Sequence, residues 1–260
     1  MVIDPTATDL AMTILLFAVV VGFSIREGLG IERSLTVATI RTVVQLLFMG
    51  FVVKVLFGVN QWWVVLLALF VMMTYAASAG LSRMKDRMSG LFIPMWVGIV
   101  TGSVFTTAVV TGAVLKVEPW WRPEMLIPLG GMILGNAMNG GALAADRLYS
   151  EIKSRQNEIE MLLALGRDYK RAAHTAKKEA IRSALIPTIN SMMTVGIVHL
   201  PGLMVGQLLG GVEPIVAAKY QIIIMLMVAS SVTITAVVFT TLAMKNFFTK
   251  NQQLKRRVFD

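Results

Sequence analysis

The chain has 260 residues, of which 56% are hydrophobic and only 15% are charged, and its mean hydropathy is +0.71. This composition excludes a soluble globular domain and predicts an all-α polytopic membrane protein. The formal net charge of +9 is not gathered into a basic cluster interleaved with aromatic residues, so a nucleic-acid partner is not expected. The chain contains no cysteine, which excludes disulfides and thiolate metal sites.

Seven apolar segments are candidates for membrane-spanning helices, since a helix needs roughly 20 apolar residues to cross about 30 Å of hydrocarbon. The first segment is the shortest and follows acidic rather than basic residues, which favours a retained span over a cleaved signal peptide. We expect the seven spans to form a single transmembrane domain over residues 1–260. The spans are residues 10–24, 38–57, 62–81, 91–115, 125–143, 185–209 and 220–244.

The positions of lysine and arginine predict the orientation. With the amino terminus outside, 20 of the 24 basic residues fall on the inner side of the membrane. Cytoplasmic loops are enriched in Lys and Arg, so the sequence predicts an amino terminus outside and a carboxyl terminus inside. A basic inner face also suits the anionic lipids of a cell's inner (plasma) membrane.

The sequence contains no catalytic or metal-binding motif. His174 and His199 are far apart, and the chain has no Gly-rich phosphate loop, no Gly-x-Ser-x-Gly elbow and no pair of carboxylates within a span. All 15 Asp and Glu residues lie in loops, tails or span ends, whereas ion-coupled carriers usually keep an ionisable group inside the membrane. We therefore expect no enzyme activity, and we expect a partner to supply any energy for uphill transport.

Residues 146–185 form the long polar interruption of the chain and carry nine Lys and Arg. Within this segment, residues 150–165 fit an amphipathic helix, Gly166 suits a left-handed helix end and Asp168 can cap a second helix. We predict a helix–elbow–helix extension that either docks on a partner or lies on the inner leaflet. The apolar face of the first helix contains Ile152, Ile159, Leu162 and Leu163, and the small face of the second contains Tyr169, Ala172, Ala173, Ala176 and Ala180.

Amide side chains mark spans five and six. An amide in hydrocarbon needs hydrogen-bond partners, so these residues face protein or water rather than lipid. They serve either an interhelical bond or a solute path. The candidates for the path are Asn136, Asn139, Asn190, Met193 and Gln207.

Proline and glycine predict an irregular sixth span. Pro187 removes a backbone hydrogen bond, and Pro201 followed by Gly202 is predicted to kink or break the helix near His199. These three residues are candidates for a hinge or gate, and a bend that only shapes the helix is the alternative.

Small and flexible residues recur along the spans. Glycines spaced four apart predict close helix packing at Gly98–Gly102, Gly131–Gly135 and Gly206–Gly210. The chain also has 18 methionines, several of them in spans five and six. A thioether can bind Cu(I), but flexible apolar packing is its commoner use.

Five motifs occur in order along the chain: GGMILGNAMN at residues 130–139, EMLLALG at 160–166, ALIPTINSMM at 184–193, LPGLMVGQ at 200–207 and YQI at 220–222. Together they resemble the FetB family, which are permease subunits of ABC transporters identified as iron exporters and related to plant aluminium-tolerance permeases. The resemblance covers most of the chain. It implies a transmembrane subunit that lacks its own ATPase site and exports iron or another metal.

The resemblance also implies the partners. Two permeases would pair with two copies of a separate ABC ATPase, which would hold ATP and Mg, while this chain itself would bind no cofactor. The interval from Glu160 to Gly166 is similar to the start of the Glu-Ala-Ala loop of ABC importers, which docks in a groove of the ATPase. The likeness implies a coupling role for Glu160, Leu162, Leu163, Leu165, Gly166 and Asp168. The pattern departs from the importers afterwards, so an import direction does not follow.

Other functions remain open from the residues alone. The chain could be a carrier or channel that needs no ATPase, or an ABC permease for a sugar-linked or other small solute. A membrane scaffold that recruits a soluble enzyme is a third alternative.

Overall fold

The computed structural model describes residues 6–59, 61–82, 84, 88–249 and 251–255. In these residues all regular secondary structure is helical, which confirms the all-α prediction, and the two β-bridges are isolated. The helices are α1 (Ala7–Arg26), α2 (Glu32–Gly58), α3 (Trp62–Ser82), α4 (Phe92–Ala108, continued by a π-helix at Val109–Val114), α5 (Pro123–Ser154), α6 (Gln156–Ala164), α7 (Tyr169–Ala172), α8 (His174–Thr194), α9 (Gly202–Leu209) and α10 (Pro214–Phe247).

Within the described part of the chain, four helices are long and apolar enough to cross a membrane. They are α2, α3, α4 with its π-helical continuation, and α10. The apolar part of α1, Met12–Arg26, is shorter. The count of seven spans and the orientation therefore remain predictions. Of the basic residues behind that orientation, six lie outside the described residues: Arg83, Lys85, Arg87, Lys250, Arg256 and Arg257.

The described residues form two compact units, one within Met1–Asn60 and Leu209–Gly211 and the other within Gln61–Leu208 and Val212–Asp260. The first contains α1 and α2. Thr6 caps α1 through a reciprocal pair of hydrogen bonds with Asp9, and the Ser24 hydroxyl donates to Glu32 Oε1 at 2.8 Å, which fixes the turn between the two helices. The prediction of a single domain over the whole chain stays a prediction.

In the second unit, glycines let α4 lie directly against α10. A β-carbon at Gly98 would lie 2.9 Å from the Thr235 carbonyl oxygen, and one at Gly102 would lie 2.7 Å from the Ser231 carbonyl oxygen. Both distances are too short for any side chain. The Thr235 hydroxyl donates to the Gly98 carbonyl at 3.1 Å, so the contact is also hydrogen-bonded.

Two further glycines bring α5 against its neighbours. A β-carbon at Gly140 would lie 2.6 Å from Val232 Cγ1 of α10, and one at Gly141 would lie 2.6 Å from Met95 Sδ of α4. The prediction of close packing at Gly98–Gly102 is confirmed. At Gly135 and Gly206 it stays a prediction, since their β-carbon positions meet no atom within 4 Å in this chain.

We predict that Gly102→Ala lowers the free energy of unfolding by roughly 1–3 kcal/mol, because the added methyl group overpacks the contact between α4 and α10. The matched control is Gly135→Ala, which adds the same methyl group to a helix where it meets open space. Denaturant or thermal unfolding in detergent measures both variants. Equal stability of the two variants would contradict the close contact.

Candidate functional site

The elbow, residues 165–168, joins α6 to α7 with a specific set of backbone hydrogen bonds. Gly166 has a φ of +82°. Its N–H donates to the Leu163 carbonyl at 3.0 Å, and the Arg167 N–H donates to the Leu162 carbonyl at 3.1 Å. This is a Schellman ending, which favours glycine because other residues rarely adopt a positive φ. The Asp168 carboxylate accepts from the Arg171 N–H at 3.0 Å and caps α7, so the predicted helix end and cap are both confirmed.

The arms of the elbow differ from the prediction in their lengths. The first predicted helix, residues 150–165, is divided at Arg155, where α5 ends and α6 begins. On either side of the polar segment, α5 and α8 run without interruption from the predicted fifth and sixth spans toward the elbow. The short helices α6 and α7 therefore link the elbow to two long helices.

The apolar face of the arms packs on the protein itself. Ile152 and Ile159 are buried, and Leu162 and Leu163 are half-buried against the same core cluster. The small face of the second arm is buried as well, at Ala172, Ala173, Ala176 and Ala180. This burial contradicts the hypothesis of a hairpin that lays this face on the inner leaflet.

Two large apolar side chains remain exposed at the elbow. Met161 is 58% exposed and Leu165 is 73% exposed, and they lie one helical turn apart. We call Met161, Leu165 and Gly166 the knuckle. Among the predicted coupling residues, Leu165 is thus the apolar side chain open to a partner. Glu160, Leu162 and Leu163 are half-buried in α6, which leads into the elbow.

A chain of ion pairs crosses the junction between α5 and α6. Glu151 is only 7% exposed, and its carboxylate binds Arg147 at 2.6 Å and Arg155 at 2.8 Å. Arg155 also binds Glu158 at 3.2 Å. The hydrogen bonds that Arg155 donates to Glu151, the larger cause, and to Glu158 raise the pKa of Arg155 above its usual range. This network was not predicted from the sequence, although the spacing of three or four residues between its members was the available signal.

A C-terminal strap, residues 247–249 and 251–255, lies against the elbow. The Lys255 N–H donates to the Phe247 carbonyl at 2.9 Å, which folds the strap back. Gln252 has a φ of +60°, and its side-chain oxygen accepts from the Tyr169 N–H at 3.2 Å. The rings of Tyr169 and Phe248 are 5.2 Å apart. The strap therefore ties the start of α7 to the end of α10, a contact that no pattern in the sequence indicates.

The predicted sixth span is broken rather than continuous. The chain leaves α8 at Thr194 and enters α9 at Gly202, with Pro201 just before it. The break is ordered: the Gly196 N–H donates to the His199 carbonyl at 2.9 Å, and the Val198 N–H donates to the Thr194 carbonyl at 2.9 Å. The prediction of a break at Pro201 and Gly202 is confirmed. Pro187 lies inside α8, which continues through it.

The predicted path residues lie mostly on exposed surfaces of the described helices. Asn136, Asn139 and Asn190 are exposed, and Met193 is 75% exposed. The Asn136 side chain donates to the Met132 carbonyl of its own helix at 2.8 Å. Gln207 is half-buried, and no hydrogen bond to its side-chain oxygen is found within the described residues. None of the five lines the cavity beside the break.

We predict that Gln252→Gly speeds amide exchange at Tyr169 about fivefold, the effect of losing about 1 kcal/mol of hydrogen bonding. Glycine keeps the positive φ of this position and removes only the side chain. The control is Gln253→Gly, which adds the same backbone freedom one residue later. Hydrogen–deuterium exchange across residues 166–173 reads the result, and equal exchange in both variants would show that the strap does not hold α7.

Comparison with known proteins gives a family. The model of an uncharacterised protein family, UPF0014, matches residues 7–248. A UPF0014 membrane protein of Synechocystis sp. is 37% identical over 228 residues, which is 88% of this chain and 88% of the relative. The probable iron export permease protein FetB of Escherichia coli is 32% identical over 96% of this chain and 95% of its own.

A plant protein is also similar to this chain. The protein ALUMINUM SENSITIVE 3 of Arabidopsis thaliana is 32% identical over 96% of this chain and 89% of its own length. No solved structure matches the chain. The resemblance to the FetB family is confirmed by these relatives, and the chain belongs to the UPF0014 family of membrane proteins.

Proposed function

We propose that this protein is the transmembrane subunit of an ATP-driven ABC transporter, and that a separate ABC ATPase docks on its knuckle from the cytosol. The exposed pair of Met161 and Leu165 carries this proposal. Large apolar side chains held on a rigid base are typical of binding hot spots, because they lose little freedom when a partner covers them. The Schellman ending, the cap at Asp168 and the strap supply that rigidity.

The long helices α5 and α8, which α6 and α7 link to the elbow, would carry its movement into the membrane. The 32 residues of α5 extend about 48 Å at about 1.5 Å per residue, which exceeds the roughly 30 Å of the hydrocarbon layer. The other helix, α8, leads from the elbow to the break at residues 195–201. A push on the knuckle would therefore displace the break, whose irregular backbone suits a gate in a transporter.

A second copy of the chain would complete the path. Asn136 and Asn190 lie on the exposed sides of α5 and α8, and amide groups on a helix surface are better placed against water or protein than against lipid. A homodimer seam along these two helices would place the amides beside water or protein, and it would bring Met193 to the same interface. Two permeases with two ATPases form the proposed assembly, in the inner membrane with the elbow on the cytosolic side.

The proposed solute is iron or another metal, moved outward. Support for it comes from the FetB relative, whose name describes a probable iron export permease. Within the described residues, no group of three or more His, Cys, Asp or Glu side chains could hold a metal ion. ATP and Mg would bind to the ATPase subunit, and this chain would act as a transport subunit rather than as an enzyme.

We predict that Leu165→Asp weakens ATPase docking about tenfold, about 1.4 kcal/mol, because a charge replaces an apolar contact at the knuckle. The conservative control, Leu165→Met, should bind normally. Titration of the purified permease with its ATPase measures docking, and transport in vesicles measures coupling. Leu165 is exposed, so the Asp variant should fold and insert normally.

Two outcomes would contradict the proposal. Equal ATPase binding by both variants would remove the knuckle as the docking site. Transport that proceeds at full rate without any ATPase would instead support the carrier or channel.

A further inference from the structure

A cavity of about 310 Å³ lies beside the break, between the end of α8, the start of α9 and the first half of α10. Met192, Met204 and Met225 contribute to its wall, one from each of these helices. Gln221, whose side chain ends in an amide group, also lines the cavity. Four side chains from three separate helices thus meet around one space, although no sequence spacing predicts their meeting.

Gln221 lines the cavity and has a side-chain oxygen whose hydrogen-bonding capacity is unmet within the described residues. Its side chain is 94% buried in α10, since its exposed fraction is 6%, yet its side-chain oxygen accepts no hydrogen bond within the described residues. A buried amide oxygen without a partner lowers stability, so proteins seldom retain one without a use. The oxygen needs a hydrogen-bond donor or a cation.

The methionine sulfurs of the cavity wall, like the amide oxygen, are electron-pair donors. Each thioether sulfur presents lone pairs and no hydrogen to donate. The complementary ligand is therefore electron-poor. Among metal ions, thioethers prefer soft ones such as Cu(I), whereas iron in its common states prefers harder ligands. A single charge also fits a low-dielectric site best, because the cost of desolvating an ion rises with the square of its charge.

The cavity is large enough for the methionine side chains to change their rotamers when a metal ion binds. Methionine has three rotatable bonds, so the three sulfurs can turn inward into the open space without movement of the helices. Met193 differs from the three methionines that line the cavity. It neighbours Met192 in sequence but does not line the cavity, and it is 75% exposed.

We propose that Met192, Met204 and Met225 form a binding site for a soft monovalent metal ion, with the Gln221 amide oxygen directed at the same charge. As a substrate site this deepens the proposed function and rests on it, because a site at the break lies where the gate would open. As a binding site it requires only this chain.

The test uses Ag⁺ as the probe, since it shares the charge and the thioether preference of Cu(I). The full chain is purified in detergent, and equilibrium dialysis with metal analysis measures bound Ag⁺. The triple variant Met192→Leu, Met204→Leu and Met225→Leu keeps the side-chain volume and removes the sulfurs. We expect it to bind Ag⁺ at least about tenfold more weakly than the wild type. The control is Met227→Leu, which removes a sulfur from α10 outside the cavity wall and should bind as the wild type does.

A second variant separates this site from general methionine binding. Gln221→Leu should weaken Ag⁺ binding while all sulfurs stay in place. Unchanged binding in the triple variant, or no binding by the wild type, would overturn the proposal. Thermal unfolding of each variant confirms that the fold persists. Since no ATPase is present, failure of this test leaves the docking of the ATPase standing, and failure of docking leaves the metal site standing.

Discussion

The close contact of α4 and α5 with α10 is the constraint on which the rest of the second unit depends. Gly102 and Gly140 leave no room for a side chain, so the helix backbones approach each other directly. The Thr235 hydroxyl adds a hydrogen bond to the Gly98 carbonyl. In a membrane, where apolar surfaces gain little from leaving lipid, such packing and hydrogen bonding are what hold helices together.

This packing makes α10 the common support of the elbow and of the cavity. Its carboxyl end continues into the strap, which holds Tyr169 at the start of α7. Its first half carries Gln221 and Met225, which face the break between α8 and α9 across the cavity. The same helix thus supports the surface on which the ATPase would act and the place where the solute would pass. In the proposed mechanism, a movement of the elbow would reach the break through α7 and α8 while α10 stayed in place.

The sequence predicts those parts of the site that depend on local backbone chemistry. The roles of Gly166 and Asp168 follow from the conformations that glycine and a capping carboxylate favour, and the break at Pro201 follows from the missing N–H. Which face of an amphipathic helix stays uncovered depends instead on its tertiary partners. The apolar face with Leu163 was therefore expected to dock a partner, but it packs inward, and the opposite residue Leu165 remains exposed. Gln221 was not assigned a role, because its burial depends on tertiary packing that local sequence patterns do not show.

The proposed function requires an ATPase to dock on the knuckle at the cytosolic side of the membrane. The chain has no cysteine, so Leu165→Cys introduces a single reactive group. Chemical crosslinking in native membranes, with an ABC ATPase co-expressed, tests the claim most directly. We predict a crosslinked product with the ATPase, and protection of the cysteine by ATPase binding. Labelling of that cysteine by a membrane-impermeant maleimide from outside the cell would contradict the account.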